Sequence, residues 1–278
     1  MTARSSPELA DALLAVRPQR AYVVCATPRS GSTLLCEMLA DSGIAGRPSE
    51  HVEQLRKRGR PNEPREYFAD IEDRSVLELL PASGPPRPHP GAIDERLAAL
   101  IAYATTPNGV FGTKVMWSYM ADLQERLAEL PGFGRLQDAD RLAGLLGDVQ
   151  YVHVLREDHV AQAISMWRAV QTRAWRAETD DAVEPVYSFS GIEHLAHQLE
   201  RHNVAWDRWF NQQEIEPLRV RYSEMAEDPG RVLQDTLDFI GVGDQAHAEP
   251  PPPSLRRQSG AQSREWADRY RREEEAHR

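Results

Sequence analysis

Cysteine is nearly absent: Cys25 and Cys36 are the two in 278 residues, too few for a disulfide framework or a thiolate metal cluster. Cys25 lies in the apolar run AYVVCA and Cys36 in an apolar-periodic stripe, the usual setting of a buried, inert thiol. Such sparing use fits a reducing compartment, so the expected location is cytoplasmic. Long hydrophobic runs are missing as well. No stretch approaches the roughly 18 apolar residues of a spanning helix, and mean hydropathy is −0.58. The first twenty residues, MTARSSPELADALLAVRPQR, lack the basic-then-apolar layout of a secretory signal. Nor is there a basic excess: 33 Lys and Arg stand against 43 Asp and Glu, a net charge of −10. Nucleic-acid footprints are basic, so no nucleic-acid partner is expected. Any anionic ligand must be held by local groups against the mean field, and the places where arginine meets glycine become the ones to search.

What is present reads as an α/β chain. The hydrophobic content, 41%, is enough for a large core, and the length suits one domain. That domain is expected to span 1–278, with an N-terminal extension (1–20), an exposed Pro/Gly connector (81–91) and a tail with a C-terminal helix (250–278). Residues 21–26 form a short continuous apolar run, the pattern of a strand buried on both faces. An apolar-periodic helix follows, closed by Gly43. Residues 47–66 are polar and Pro-punctuated, and read as irregular. Helices are expected over 67–80, 93–104, 119–130, 138–146, 191–213 and 229–240, and one long helix from Arg156 through Arg176. Further strands are read at 109–117, 150–155 and 217–222. Strands alternating with helices predict a three-layer α/β/α fold with a central parallel sheet and ligands at the carboxyl ends of the strands.

The segment PRSGST, Pro28 to Thr33, falls between the first strand and its helix. Backbone N–H groups there can converge on one anion, and the helix dipole adds partial positive charge. Gly31 permits close approach, Ser30, Ser32 and Thr33 offer hydroxyls, and Arg29 a charged fork. The segment is a P-loop-like phosphate-binding loop without the leading glycine or the lysine of a nucleotide triphosphatase, and it is not G-x-G-x-x-G. Arg156, at the end of the third strand, and Ser165, nine residues on, make a second candidate anion site on the same sheet edge.

At these residues the chain resembles the sulfotransferases. PRSGST is similar to their 5′-phosphosulfate loop, and Arg156 with Ser165 to their 3′-phosphate site. The resemblance is to bacterial carbohydrate sulfotransferases of the trehalose 2-sulfotransferase type. It extends through the segment Gly46 to Glu50, PREYFADIEDRSVLELL, TPNGVFGTKVMW, MWRAVQTRAWR and RRQSGAQSREWADRYRRE. It implies the donor 3′-phosphoadenylyl sulfate, with adenosine 3′,5′-bisphosphate as product and no metal. It implies a carbohydrate acceptor, trehalose or a related sugar, and a homodimer. By that resemblance Glu50 is the general base and Arg29 stabilises the sulfate and the bridging oxygen. Arg29, Ser30, Gly31, Ser32, Thr33, Arg156, Ser165, Arg257 and Gln258 hold the donor. Pro28, Arg47, Pro48, Ser49, Glu50, His51, Val52, Glu53, Asn62 and Tyr67 form the acceptor side. Read without the resemblance, Glu50 is only a carboxylate in a Pro-flanked loop, and Glu37, one turn beyond the loop, is its rival. Pro28, Arg47 and Tyr67 depart from the pattern of the trehalose enzymes, all on the acceptor side. Another glycan acceptor, or a nucleotide binder without catalysis, is the alternative.

Other signals are read as structural. His194, His197 and His202 with Glu193 and Glu200 lie on the polar side of an amphipathic helix rather than forming a metal site. Trp206, Trp209 and Phe210 have core spacing, and the charged run 269–278 is a solvated helix end.

Overall fold

The computed structural model describes residues 15–55, 62–84, 94–175, 184–245 and 260–277. Arg257 and Gln258, the expected extension before residue 15, most of the 81–91 connector and the start of the tail lie outside the described residues. The strands are β1 (Arg20–Ala26), β2 (Val110–Met116), β3 (Val149–Leu155) and β4 (Leu218–Arg221). The helices are α1 (Ser32–Asp41), α2 (Arg74–Glu78), α3 (Asp94–Ala104), α4 (Met120–Ala128), α5 (Asp138–Leu146), α6 (His159–Thr172), α7 (Phe189–Gln212), α8 (Tyr222–Glu227), α9 (Pro229–Phe239) and α10 (Ala261–His277).

All four strands are parallel, in the order β2-β1-β3-β4. Every residue of β2, and all of β1 after Arg20, is buried. Side chains of a strand alternate between faces, so burial of successive residues requires cover on both sides, and the expected α/β/α layering follows. The chain leaves β1 for β2 on one side and then crosses to β3 on the other. Connections after β1 and β3 therefore diverge and open a crevice at the carboxyl ends of these strands.

The long helix α7 joins the two apolar clusters. Ile192, Leu195 and Leu199 pack with α6, Trp266 and Tyr270 of α10, and Phe68, whereas Trp206, Trp209 and Phe210 pack into the sheet core. Trp206 is fully buried, and its indole N–H donates to the Ala26 carbonyl at 3.0 Å, which fixes α7 against the end of β1. These aromatics are core, as their spacing indicated. Both cysteines are buried and burial pushes the Cys36 thiol up to about 12, which keeps it unreactive.

Two expected elements are corrected. The helix over 67–80 is instead a 3-10 turn at Pro64–Phe68 followed by the short α2. The Asp73 carboxylate accepts from the Ser75 N–H at 2.9 Å and its hydroxyl at 2.7 Å, starting a new helix where the apolar pattern alone would have run on. The helix after β3 begins only at His159, with Asp158 accepting from the Ala161 N–H, and ends at Thr172 rather than at Arg176. Arg173 takes a left-handed conformation (φ 60°) there, and Thr172 Oγ1 accepts the Ala174 N–H. Among the described residues no helix is long and apolar enough to cross a membrane.

His153 on β3 makes a stability prediction. Its ring is fully buried beside Phe210, with centroids 5.2 Å apart. Burial pushes its pKa down to about 4, against the pull of Asp207 and with the help of Arg219. The fold thus keeps a neutral imidazole that the unfolded chain protonates near pH 6.5. Stability is full above that pH, falls as pH drops from about 6.5 to 4, and levels off below. The loss is at most ~3 kcal/mol. His153→Gln should shrink the difference in unfolding free energy between pH 7 and pH 5 measured in urea; an unchanged difference refutes the assignment.

Candidate active site

The β1–α1 loop is shaped by two residues with positive φ, Arg29 at 63° and Gly31 at 95°. A Cβ on Gly31 would stand 2.6 Å from the Tyr222 ring and 2.8 Å from Met225, so only glycine fits the turn that aims the first amides of α1 at the crevice. Ser30 is fully buried below the loop. The fully buried Gln162 of α6 pins the loop from behind, donating to Thr27 Oγ1 at 3.0 Å and to the Pro28 carbonyl at 2.7 Å.

A cleft of about 980 Å³ opens here, lined by Arg29, Gly31, Ser32 and Thr33 of the loop, Arg156 and Ser165 of the β3–α6 unit, and residues of α8 and α10. The residues of the two candidate anion sites read from the sequence thus line one cleft. Arg29 joins them: its Nε donates to Ser165 Oγ at 3.0 Å, and its carbonyl accepts from Arg156 Nη1 at 3.2 Å. Arg156 lies over the Tyr222 ring, 4.7 Å from its centroid. Burial, and then Arg156, pushes the pKa of Arg29 down to about 10, with Arg168 adding to the shift. The guanidinium stays protonated at neutral pH, so cations are packed together at a cost that a bound polyanion would relieve. Arg168, one turn beyond Ser165, donates to Ser263 Oγ of α10 at 2.9 Å, which brings the C-terminal helix into the wall of the cleft.

Glu50 does not line this cleft but is tied to it. Its Oε1 pairs with Lys114 Nζ at 3.0 Å, and the same ammonium donates to Thr33 Oγ1 at 3.0 Å. One buried cation, 4% exposed, therefore links the carboxylate to the phosphate-type loop. The segment before Glu50 is fixed to β2, since the Ser49 carbonyl accepts from the Lys114 N–H and Thr113 Oγ1. Gly46 makes this approach possible: a Cβ there would stand 2.6 Å from the Gly112 nitrogen.

The other residues expected on the acceptor side divide. Pro28 and Pro48 are buried. Arg47 donates to the carbonyls of Tyr103 and Thr105 at the end of α3, at 2.6 and 3.3 Å, and its own carbonyl bonds His51 Nε2. Glu53 lies in the 3-10 turn His51–Leu55, as does Val52, whose side chain is outside the described part. Tyr67 lies in the 3-10 turn Pro64–Phe68, which Asn62 precedes by two residues, and its ring stands 6.2 Å from that of Trp175. His194 is hydrogen-bonded to the Tyr67 carbonyl at 2.8 Å and stacks on Phe68. Among the described residues no three His, Cys, Asp or Glu side chains gather as metal ligands do.

Sequence reasoning passed over Lys114. Two signals mark it: a lysine inside an apolar strand breaks the burial rule, and the chain has only two lysines, Lys57 and Lys114, among 33 basic residues.

The family model described as Stf0 sulphotransferase matches residues 21–273. A trehalose 2-sulfotransferase of Mycobacterium tuberculosis (strain ATCC 35801 / TMC 107 / Erdman) is 38% identical over 266 residues, covering 93% of this chain and 96% of that one. The trehalose 2-sulfotransferase of Mycolicibacterium smegmatis (strain ATCC 700084 / mc(2)155) is 37% identical over 260 residues, covering 91% and 95%. Among solved structures, the sulfotransferase domain from the Synechococcus PCC 7002 olefin synthase aligns with a TM-score of 0.40 and 17% identity over 92% of this chain and 95% of that one, too loosely to bear on the site.

Proposed function

The chain belongs to the Stf0 sulphotransferase family and is a sulfotransferase, and from that premise we propose that it moves the sulfuryl group of 3′-phosphoadenylyl sulfate to a hydroxyl of trehalose, at the 2-position. Both curated relatives are trehalose 2-sulfotransferases at 37–38% identity, which supports the acceptor. The donor carries its 5′-phosphosulfate against the amides of the loop and the hydroxyls of Ser32 and Thr33, with Arg29 beside the sulfate; the Ser30 hydroxyl, expected there from the sequence, is buried beneath the loop and does not line the cleft. Its 3′-phosphate meets Arg156 and Ser165.

In the transfer, the acceptor oxygen forms a bond to sulfur as the bond from sulfur to the 5′-phosphate oxygen breaks. The electron pair stays on the phosphate, and the hydroxyl proton passes to the Glu50 carboxylate. Products are the sulfate ester and adenosine 3′,5′-bisphosphate. Negative charge shifts toward the leaving phosphate, where Arg29 and the loop amides are already oriented.

The observation that carries this reading is the Lys114 bridge, which holds the Glu50 carboxylate and the loop hydroxyl of Thr33 on one ammonium, each at 3.0 Å. A base and a phosphate cradle are thereby within one side chain of each other. The test is transfer of radiolabelled sulfate from the donor to trehalose. Label on trehalose is the expected result, and adenosine 3′,5′-bisphosphate should raise Tm in proportion to its binding. Nucleotide binding with no label on trehalose or on any sugar of a panel would make the protein a binder rather than an enzyme.

A further inference from the structure

We propose that Trp175, angled against Tyr67, is the surface on which the ring of the acceptor sugar stacks, and that it sets acceptor specificity. This rests on the carbohydrate-acceptor reading above. A pyranose presents a face of C–H bonds that packs on the electron-rich face of an aromatic ring, while its hydroxyls stay free for hydrogen bonds. A residue serving this purpose must be aromatic, accessible, rigidly mounted and next to the reacting group, and Trp175 has each property.

Trp175 is 38% exposed, and Tyr103, Val186 and Val204, the other exposed large hydrophobic side chains among the described residues, do not line the cleft. Trp175 does. Its carbonyl and the two residues before it are each held. The carbonyl accepts from Arg29 Nη1 at 2.6 Å, the preceding Ala174 N–H is bonded to Thr172, and Arg173 donates to the Ala82 carbonyl at 2.6 Å. Tyr67 is fixed as well, its carbonyl accepting from His194 and from Gln198 of α7 at 3.2 Å. The two rings meet at 47° rather than face to face, so neither fully covers the other.

Position selects the occupant. Arg29 is the pivot of the cleft: Arg156, lying on Tyr222, bonds its carbonyl, and its guanidinium bonds both Ser165 Oγ and the Trp175 carbonyl. The nucleotide belongs on the Arg156 and Tyr222 side, where the second anion site stands. Trp175 is joined to Arg29, the residue proposed to hold the sulfate, and its ring meets Tyr67 of the proposed acceptor side. An adenine platform would belong with Arg156 and Tyr222 instead.

Trp175→Ala and Trp175→Phe, compared with the unaltered chain, test this. For Trp175→Ala the KM for trehalose should rise roughly tenfold, the scale of an aromatic contact. The Kd of adenosine 3′,5′-bisphosphate by calorimetry should stay within about twofold. Trp175→Phe should recover most of the loss. An unchanged KM overturns the proposal, and so does a weakened nucleotide Kd at unchanged KM, which would assign the indole to adenine. If the unaltered chain fails to sulfate trehalose, the acceptor reading fails by itself. The platform is then judged by saturation-transfer NMR with a panel of glucosides: signals lost in Trp175→Ala support it, and signals kept overturn it.

Discussion

Replacing Glu50 by glutamine should leave nucleotide binding unchanged and lower kcat by roughly 10²–10⁴, the usual share of a general base. Glutamine is the informative choice because of Lys114. Its amide oxygen can still accept from Nζ, where Glu50 Oε1 now lies at 3.0 Å, so the buried ammonium keeps a partner and the loop keeps its brace. Alanine would strip that partner from a side chain only 4% exposed, at about 3–5 kcal/mol, and lost activity would then report lost structure. Steady-state kinetics with trehalose, together with calorimetry of adenosine 3′,5′-bisphosphate, separate the two effects. Turnover within about tenfold of the parent would remove Glu50 from the role and pass it to Glu37, whose charge, like that of Glu50, is felt at Cys36.

The fold was legible wherever one physical signal dominated. The run Ala21 to Ala26 is buried on both faces and reads so, because nothing polar interrupts it. The spacing of Trp206, Trp209 and Phe210 identified a core face that the structure closes over. Boundaries set by single side chains were not legible. Asp73 starts a helix inside an apolar stretch, and Arg173 ends one inside the continuing pattern MWRAVQTRAWR, through a cap and a left-handed residue that hydrophobic periodicity does not register. The loop PRSGST could be recognised as an anion site because its elements are contiguous. The link from Glu50 to that loop could not, since it runs through Lys114, 64 residues after Glu50 and 81 after Thr33. Only the strand pairing of β1 with β2, Lys114 opposite Val24, brings it there.

On the proposed function, the same geometry lets an acidic chain take a polyanionic donor. With a net charge of −10, the molecule as a whole gives no long-range attraction. Capture falls to cations buried together: Arg29, held at a pKa of about 10 by burial and by Arg156, is raised in energy by its neighbours until an anion arrives. Salt should therefore affect this binding less than it would a surface-charge mechanism, since buried pairs are poorly screened.

Lys114→Met is the second large effect expected: a fall in kcat of roughly 10²–10³, the size of losing one oriented group that stabilises transition-state charge. Methionine fills nearly the same volume in the strand, and Glu50, 32% exposed, can be solvated when its partner is gone, so the fold should tolerate the change better than it would a shortened side chain. Two roles for the ammonium then become separable. If Lys114 works by positioning Glu50, the double variant with Glu50→Gln should be no slower than the slower single variant, since parts of one unit are not additive. If it acts on the sulfate through Thr33, independently of the base, the two losses should multiply. Because Nζ is bonded equally to Glu50 and to Thr33, at 3.0 Å each, and both bonds are lost together, the single-unit result is the one expected. A Lys114→Met variant with the parent kcat would show that the bridge is structural, and would withdraw the observation on which the placement of the base against the donor loop depends.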